Sequence, residues 1–139
     1  MNLSINRVFN GPCHLVFEAW THPEIIKKWF SPSGEWIVHV ESMAVHPGGQ
    51  YSYVIASPDG EKKWPVSGEY KEVTKNEKLV FTWNTMDVKG TLVTVTFKDL
   101  GDKTEVILVH DILPNQEQVD EHKYGWEACM DQLSKKVLK

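Results

Sequence analysis

PNQEQVDEHKYGWEACMDQLSKKVLK, Pro114 to Lys139, reads as one long amphipathic helix. Pro114 stops whatever precedes it, and Asn115 is a good N-cap with Gln118 three residues on, in the capping-box position. Val119, His122, Trp126, Met130, Leu133 and Val137 follow at steps of three or four, so they share one face. Glu117, Asp120 and Glu121 near the start and Lys135, Lys136 and Lys139 near the end suit the helix dipole. Such a helix gains most of its stability by packing its apolar face, so the rest of the chain must supply a surface for it.

Upstream the period is two. Gln50 to Ala56 sets Tyr51, Tyr53 and Ile55 against Ser52 and Val54. Lys63 to Val73 sets Trp64, Val66, Gly68 and Tyr70 against Ser67, Glu69 and Lys71. Lys78 to Asn84 alternates through Leu79, Phe81 and Trp83. Thr91 to Leu100 does so through Val93, Val95 and Phe97, and Thr104 to His110 through Val106, Leu108 and His110. Glu35 to Val45 is also extended, but both its faces are partly apolar, so its inward side stays open. Pro47-Gly48-Gly49, Pro58-Asp59-Gly60, Lys75-Asn76-Glu77 and Gly101-Asp102 supply short turns, which makes an antiparallel meander of about six strands.

Ahead of the meander, Ile5 to Asn10 is a further short strand, broken by Gly11-Pro12. Cys13 to Trp20 is a short helix. Thr21-His22-Pro23-Glu24 opens a second, with Thr21 as expected N-cap, and Ser31-Pro32-Ser33-Gly34 ends it. The class is α+β: a curved antiparallel sheet of six to seven strands, two short helices after the first strand, and a long C-terminal helix. A strand of eight to ten residues spans roughly 30 Å, and a helix of about 23 residues spans about 34 Å. One curled sheet can therefore wrap the whole helix, and curling can leave a gap between them.

The bulk properties narrow the function. The 139 residues suit one domain, residues 1–139. A net charge of −4 with interspersed signs argues against nucleic acid. No run approaches the roughly 20 apolar residues of a membrane span, and the first residues do not read as a signal peptide. A cytoplasmic setting is expected, with Cys13 and Cys129 as buried free thiols rather than a disulfide. No nucleophile elbow, phosphate loop or CxxC motif is present, and no pair among the six histidines has metal-ligand spacing.

In order and spacing, several pieces resemble one known family. They are Arg7-Val8-Phe9 with Pro12, Val16-Phe17-Glu18-Ala19-Trp20-Thr21-His22-Pro23-Glu24 and Trp29-Phe30-Ser31-Pro32. Pro47-Gly48-Gly49, Val66-Ser67-Gly68, Leu79-Val80-Phe81-Thr82-Trp83, Leu92-Val93-Thr94-Val95-Thr96-Phe97 and Gly125-Trp126 continue the series. Together they resemble bacterial relatives of the activator of the heat-shock-protein-90 ATPase, within the START and Bet v allergen-like (SRPBCC) superfamily. The resemblance implies a helix-grip fold, a sheet gripping the last helix with a cavity between. Members of that superfamily bind lipids, sterols and flavonoid-like molecules, and some are polyketide cyclases. Where relatives carry Asp and Arg before the Gly-Gly turn, this chain has Ala44 and His46, so no role of that pair is carried over.

Six tryptophans are unusual at this length. Trp29, Tyr51, Tyr53, Trp64, Phe81, Trp83, Trp126, Met130 and Leu133 form the candidate ligand-binding set, with Tyr70 beside them; plain core packing is the competing reading. Gly125 sits mid-helix at a cost of about 1 kcal/mol relative to Ala. Close approach to the sheet is its expected reason, and room for a ligand beside Trp126 the alternative. His110 and His122 are candidates for acid–base work in the cavity, weighed against simple hydrogen-bonded imidazoles. Cys13, at a helix start beside His14, is a candidate for mild activation. The leading expectation is a cofactor-free, non-enzymatic binder of a small apolar or aromatic molecule, monomeric or weakly dimeric. A cyclase or hydrolase acting in the cavity and an accessory to a chaperone ATPase are the alternatives.

Overall fold

Alternation and helical spacing each produce the element they predict. In the computed structural model, which describes residues 1–33 and 35–139, the order is β1 (Leu3–Asn10), α1 (Cys13–Thr21), α2 (Pro23–Trp29), β2 (Ile37–Met43), β3 (Gln50–Ala56), β4 (Lys63–Thr74), β5 (Lys78–Trp83), β6 (Thr91–Asp99), β7 (Lys103–Asp111) and α3 (Gln116–Lys136). The expectation that Gly34 helps end α2 lies outside the described residues. The seven strands form one antiparallel sheet in the order β1-β7-β6-β5-β4-β3-β2. Consecutive strands pair through short turns, and β1 closes the far side against β7 with Ile5 opposite Leu108. This is the helix-grip arrangement.

One face of the sheet is buried along β5, β6 and β7. Leu79, Phe81 and Trp83 of β5, Val93, Val95 and Phe97 of β6, and Val106, Leu108 and His110 of β7 all point into one hydrophobic cluster. The cluster also takes Val119, Trp126, Met130 and Leu133 of α3. The undecided strand is settled by the same cluster. Val38 is buried and Val40 packs against the core, while Ile37 is half exposed. A bulge between Val40 and Ser42 then returns Met43 to the inner side, where the Tyr53 hydroxyl lies 4.0 Å from its sulfur. A second irregularity lies between Tyr70 and Glu72 of β4. Gly68 is required there: a Cβ would lie 1.9 Å from the Thr82 carbonyl oxygen, across which the Tyr51 hydroxyl donates its hydrogen bond.

Two caps differ from expectation. Thr21 does not cap α2. It is the last residue of α1, and its hydroxyl donates to the Phe17 carbonyl at 3.0 Å. His22, in extended conformation, both closes α1 and opens α2, so no side chain caps that start. The physical reason is reach: a hydroxyl inside a helix bonds back to the i−4 carbonyl rather than forward. At α3 the Asn115 side chain does accept from the Gln118 N–H at 3.0 Å. The reciprocal half of the box is not made, because Gln118 Oε1 is buried without a partner.

The short helices are fastened to each other. Trp29, fully buried, donates its indole N–H to the Ala19 carbonyl at 2.9 Å, which ties α2 to α1. At the other side, Arg7 of β1 pairs with Asp131 of α3 at 2.6 Å. Both partners are partly solvated, so this bridge contributes little beyond register. No helix among the described residues is long and apolar enough to cross a membrane.

Leu133 is wholly buried in the centre of this cluster. Leu133→Ala is expected to lower unfolding free energy by about 3 kcal/mol. Urea unfolding followed by tryptophan emission measures it; a loss below about 1 kcal/mol would show that the helix is not gripped there.

Candidate functional site

The last helix is pinned to the sheet by a chain of hydrogen bonds through a buried histidine. Trp126 of α3 donates its indole N–H to His110 Nδ1 at 3.1 Å. Nδ1 is therefore the unprotonated nitrogen, and Nε2–H donates to the Thr91 hydroxyl at 2.9 Å. The Thr91 hydroxyl in turn donates a hydrogen bond to the Trp83 carbonyl at 2.7 Å. The chain thus runs from α3 through β7 and β6 to β5, and every polar atom in it is satisfied. Burial holds the His110 imidazole down at about 3, from an ordinary 6.5, and the neighbouring His122 adds to the shift. His110 is neutral, fixed in one tautomer and fully enclosed, which removes it as an acid or base near neutrality.

Two spaces meet at Phe30 and Trp83, with Trp126 on the groove side. Its indole meets Trp83 at 4.9 Å, Phe30 at 5.7 Å and Trp20 at 6.1 Å between ring centroids. On one side the aromatics close up. Trp20, Trp29, Phe30, Tyr51, Tyr53, Phe81 and Trp83 surround a void of only about 20 Å³, water-sized at most. On the other side lies an open groove of about 730 Å³.

The groove is built from five elements that meet at one end of the sheet. Phe30 and Pro32 come from the end of α2, Ile55 from the end of β3, and Trp64, Pro65 and Val66 from the start of β4. Trp83 ends β5, and Thr85, Met86 and Asp87 follow in the turn to β6. The opposite wall is α3, from Asp120 to Cys129. The β5–β6 turn is held by its own polar atoms. Asn84 Oδ1 accepts from the Gly90 N–H at 2.7 Å, and Thr85 Oγ1 from Val88 at 3.2 Å. That geometry buries Val88 and turns Met86 outward. Trp64, Met86 and Tyr124, all on the lining, are 44%, 61% and 75% exposed. Trp36 stacks on Trp64 with centroids 4.8 Å apart and planes 12° from parallel, which holds that ring in place.

Gly125 lies on this wall, and a Cβ built there would meet nothing within 4 Å. Close approach to the sheet, the expected reason for this glycine, is therefore not its cause. The helix carries an unfavourable residue beside open space.

The structure separates the expected ligand set. Trp64, Trp83 and Trp126 line the groove. Trp29, Tyr51, Tyr53 and Phe81 face the small void, with Tyr70 packed on Phe81. Met130 and Leu133 are fully buried one and two turns beyond Trp126 and reach neither space. Burial raises the Tyr51 and Tyr53 hydroxyls well above 10, and Tyr70 to about 12, so all three are neutral. Cys129 backs the groove with a thiol pushed up to about 12 by burial. The Cys13 thiol is also raised, first by burial and then by Asp99, the opposite of activation. It donates to the Asn76 carbonyl at 3.1 Å, and both cysteines are unbridged.

Residues outside the expected set complete the groove: Phe30, Pro32, Met86, Asp87, Glu121 and Tyr124 among them. One signal was available. Met86 is a large apolar residue inside an otherwise polar turn, and Tyr124 stands on the polar side of the helical pattern. His122 also lines the groove; its Nδ1 donates to the Gln118 carbonyl at 2.8 Å, leaving Nε2 free of a partner among the described residues. The buried Trp83 Nε1–H has no acceptor among them either. No three metal-ligating side chains gather among the described residues.

The family described as Activator of Hsp90 ATPase homolog 1-like protein matches residues 10–137. The chain belongs to that family. Solved structures of the same fold include protein CV1439 from Chromobacterium violaceum, with a TM-score of 0.87 at 22% identity over 96% of this chain and 95% of that one. Protein NE0264 from Nitrosomonas europaea aligns at 0.77 with 26% identity over 96% and 92%. The AHSA1-like protein from Aeromonas hydrophila aligns at 0.82 with 21% identity over 100% and 96%. No curated protein matches the chain.

For this AHSA1-like domain the buried histidine sets a pH dependence. Its folded value, about 3, lies below the 6.5 of an unconstrained imidazole. Between those limits the unfolded chain binds a proton that the folded chain does not. The stabilisation is complete above pH about 6.5 and is lost on acidification, by up to about 1.4 kcal/mol per pH unit. Urea midpoints from pH 7 to pH 4 are expected to fall more steeply for the native chain than for His110→Gln. Parallel slopes would overturn the assignment, as would nitrogen-15 spectra showing the Nδ1–H tautomer.

Proposed function

We propose that this AHSA1-like domain binds a small, largely apolar aromatic molecule in the groove between α3 and the ends of β3, β4 and β5. The observation that carries the reading is the open space beside Gly125. A mid-helix glycine costs about 1 kcal/mol, and here it leaves a cavity wall flat instead of relieving a clash. The groove volume of about 730 Å³ falls in the range of small-molecule sites, about 300–1,000 Å³. Its walls offer the exposed Trp64 indole for stacking, with Trp83 and Trp126 as a buried apolar backing. His122 Nε2, on the groove wall, has no partner among the described residues and is suited to accepting from a ligand hydroxyl. Met130, Leu133 and the tyrosine cluster support this site as packing rather than as contacts.

The reading is tested by titrating flavonoid-like, lipid-like and polyketide-like compounds while following tryptophan emission and heat. At least one class is expected to bind with a micromolar dissociation constant. Gly125→Phe, which places a ring in the open space, is expected to weaken that binding at least about tenfold. Gly125→Ala should raise folding stability by up to about 1 kcal/mol. Silence from every compound at millimolar concentration would sink the reading, as would unchanged affinity in Gly125→Phe.

A further inference from the structure

The groove has a charge asymmetry that its apolar lining does not explain. Three carboxylates stand on its wall, Asp87 from the β5–β6 turn and Asp120 and Glu121 from α3. No lysine or arginine does among the described residues; Lys63, Lys89 and Lys123, near it in sequence, are off the wall. Asp120 Oδ1 accepts a hydrogen bond from Gln116 Nε2 at 2.9 Å. The carboxylates of Asp87 and Glu121 have no ion-pair partner among the described residues. The acids come from two separate elements and share one mouth with Met86 and Tyr124. The same wall carries the exposed ring of Trp64, whose quadrupole also favours positive charge, with Trp83 and Trp126 buried behind it. Both fields have the same sign, and low-dielectric walls strengthen them at the groove.

We infer that the occupant of this groove is a cationic amphiphile, an aromatic or aliphatic body carrying a protonated or quaternary amine. The inference rests on the groove reading above and adds the charge of its ligand. The apolar body lies against Trp83, Trp126 and Gly125, and the amine sits at the mouth between Asp87 and the Asp120–Glu121 pair. An anionic ligand, such as a free fatty acid, meets three like charges there and is rejected. The acids serve selectivity and capture rate more than affinity, since they are solvated.

A matched trio of probes tests it: naphthylmethylammonium, naphthylmethanol and naphthoate, titrated against the native chain by tryptophan emission and calorimetry. The ammonium is expected to bind roughly tenfold more tightly than the alcohol at low salt, and the carboxylate more weakly than both. The preference should shrink in high salt. In the triple variant Asp87→Asn, Asp120→Asn, Glu121→Gln the ammonium-to-alcohol affinity ratio should fall to about one. If the alcohol binds as well as the ammonium, or the carboxylate best, the charge assignment is overturned and the groove reading stands. If no probe binds and Gly125→Phe changes nothing, the groove itself is not a ligand site and both fall. A ratio preserved in the triple variant would also overturn the role of these acids.

Discussion

The contact on which the rest of this structure depends is the indole of Trp126 donating to His110 Nδ1. A long amphipathic helix on a curved apolar sheet can slide or roll at little cost, because hydrophobic contact has no direction. A hydrogen bond in a buried site does have direction, and breaking it strands two polar atoms. By running through His110 and Thr91 to the Trp83 carbonyl, the chain of donors fixes α3 against β7, β6 and β5 together. It also fixes the plane of the Trp126 ring. The imidazole stays neutral because it is enclosed, and it is enclosed because the helix is held there.

With Trp126 set in place, the interior divides. Toward α1 and α2, seven aromatic rings leave about 20 Å³ between them. Edge-on contacts such as Trp20 against Trp29, with centroids 4.8 Å apart, fill that side as a core. Toward the β5–β6 turn, the helix presents Gly125 and the sheet presents the start of β4, and the space stays open. The same fold thus carries a close-packed half and an excavated half, with Phe30 and Trp83 as the wall they share. The aromatic richness of the chain is mostly structural, and only the outer indoles are free to meet anything else.

Belonging to the AHSA1-like family fixes the architecture of this domain, and what the groove can hold is argued from its own side chains. The neighbours of known structure share the fold at identities too low to carry chemistry. Around the groove the features are local: a methionine turned outward by a self-bonded turn, an exposed tyrosine, an indole N–H without an acceptor among the described residues, and acids from two elements on one wall. None of these belongs to the core that defines the fold.

The elements of the fold were legible in the sequence because their periods are local properties. Spacing of three or four from Val119 to Val137 could only be a helix face, and alternation in β5, β6 and β7 could only be strands with one buried side. The Asn115 cap was legible for the same reason, since donor and acceptor lie three residues apart. Thr21 was misplaced by one helix because a hydroxyl at a junction can bond backward or forward, and only the built backbone decides. The groove was hidden for a deeper reason: period gives the face a side chain is on, not its depth along the element. Phe81 and Trp83 share a face of β5, and Trp126 and Met130 share a face of α3, yet in each pair one lines the groove and the other is enclosed. Asp120 and Glu121 read as first-turn charges that suit the helix dipole, and nothing around them or Asp87 shows that a turn and a helix converge. The chain by itself determined which residues alternate, which coil and which cap. The tertiary structure alone decided where the sheet and the helix part, because that depends on how every side chain between them packs at once.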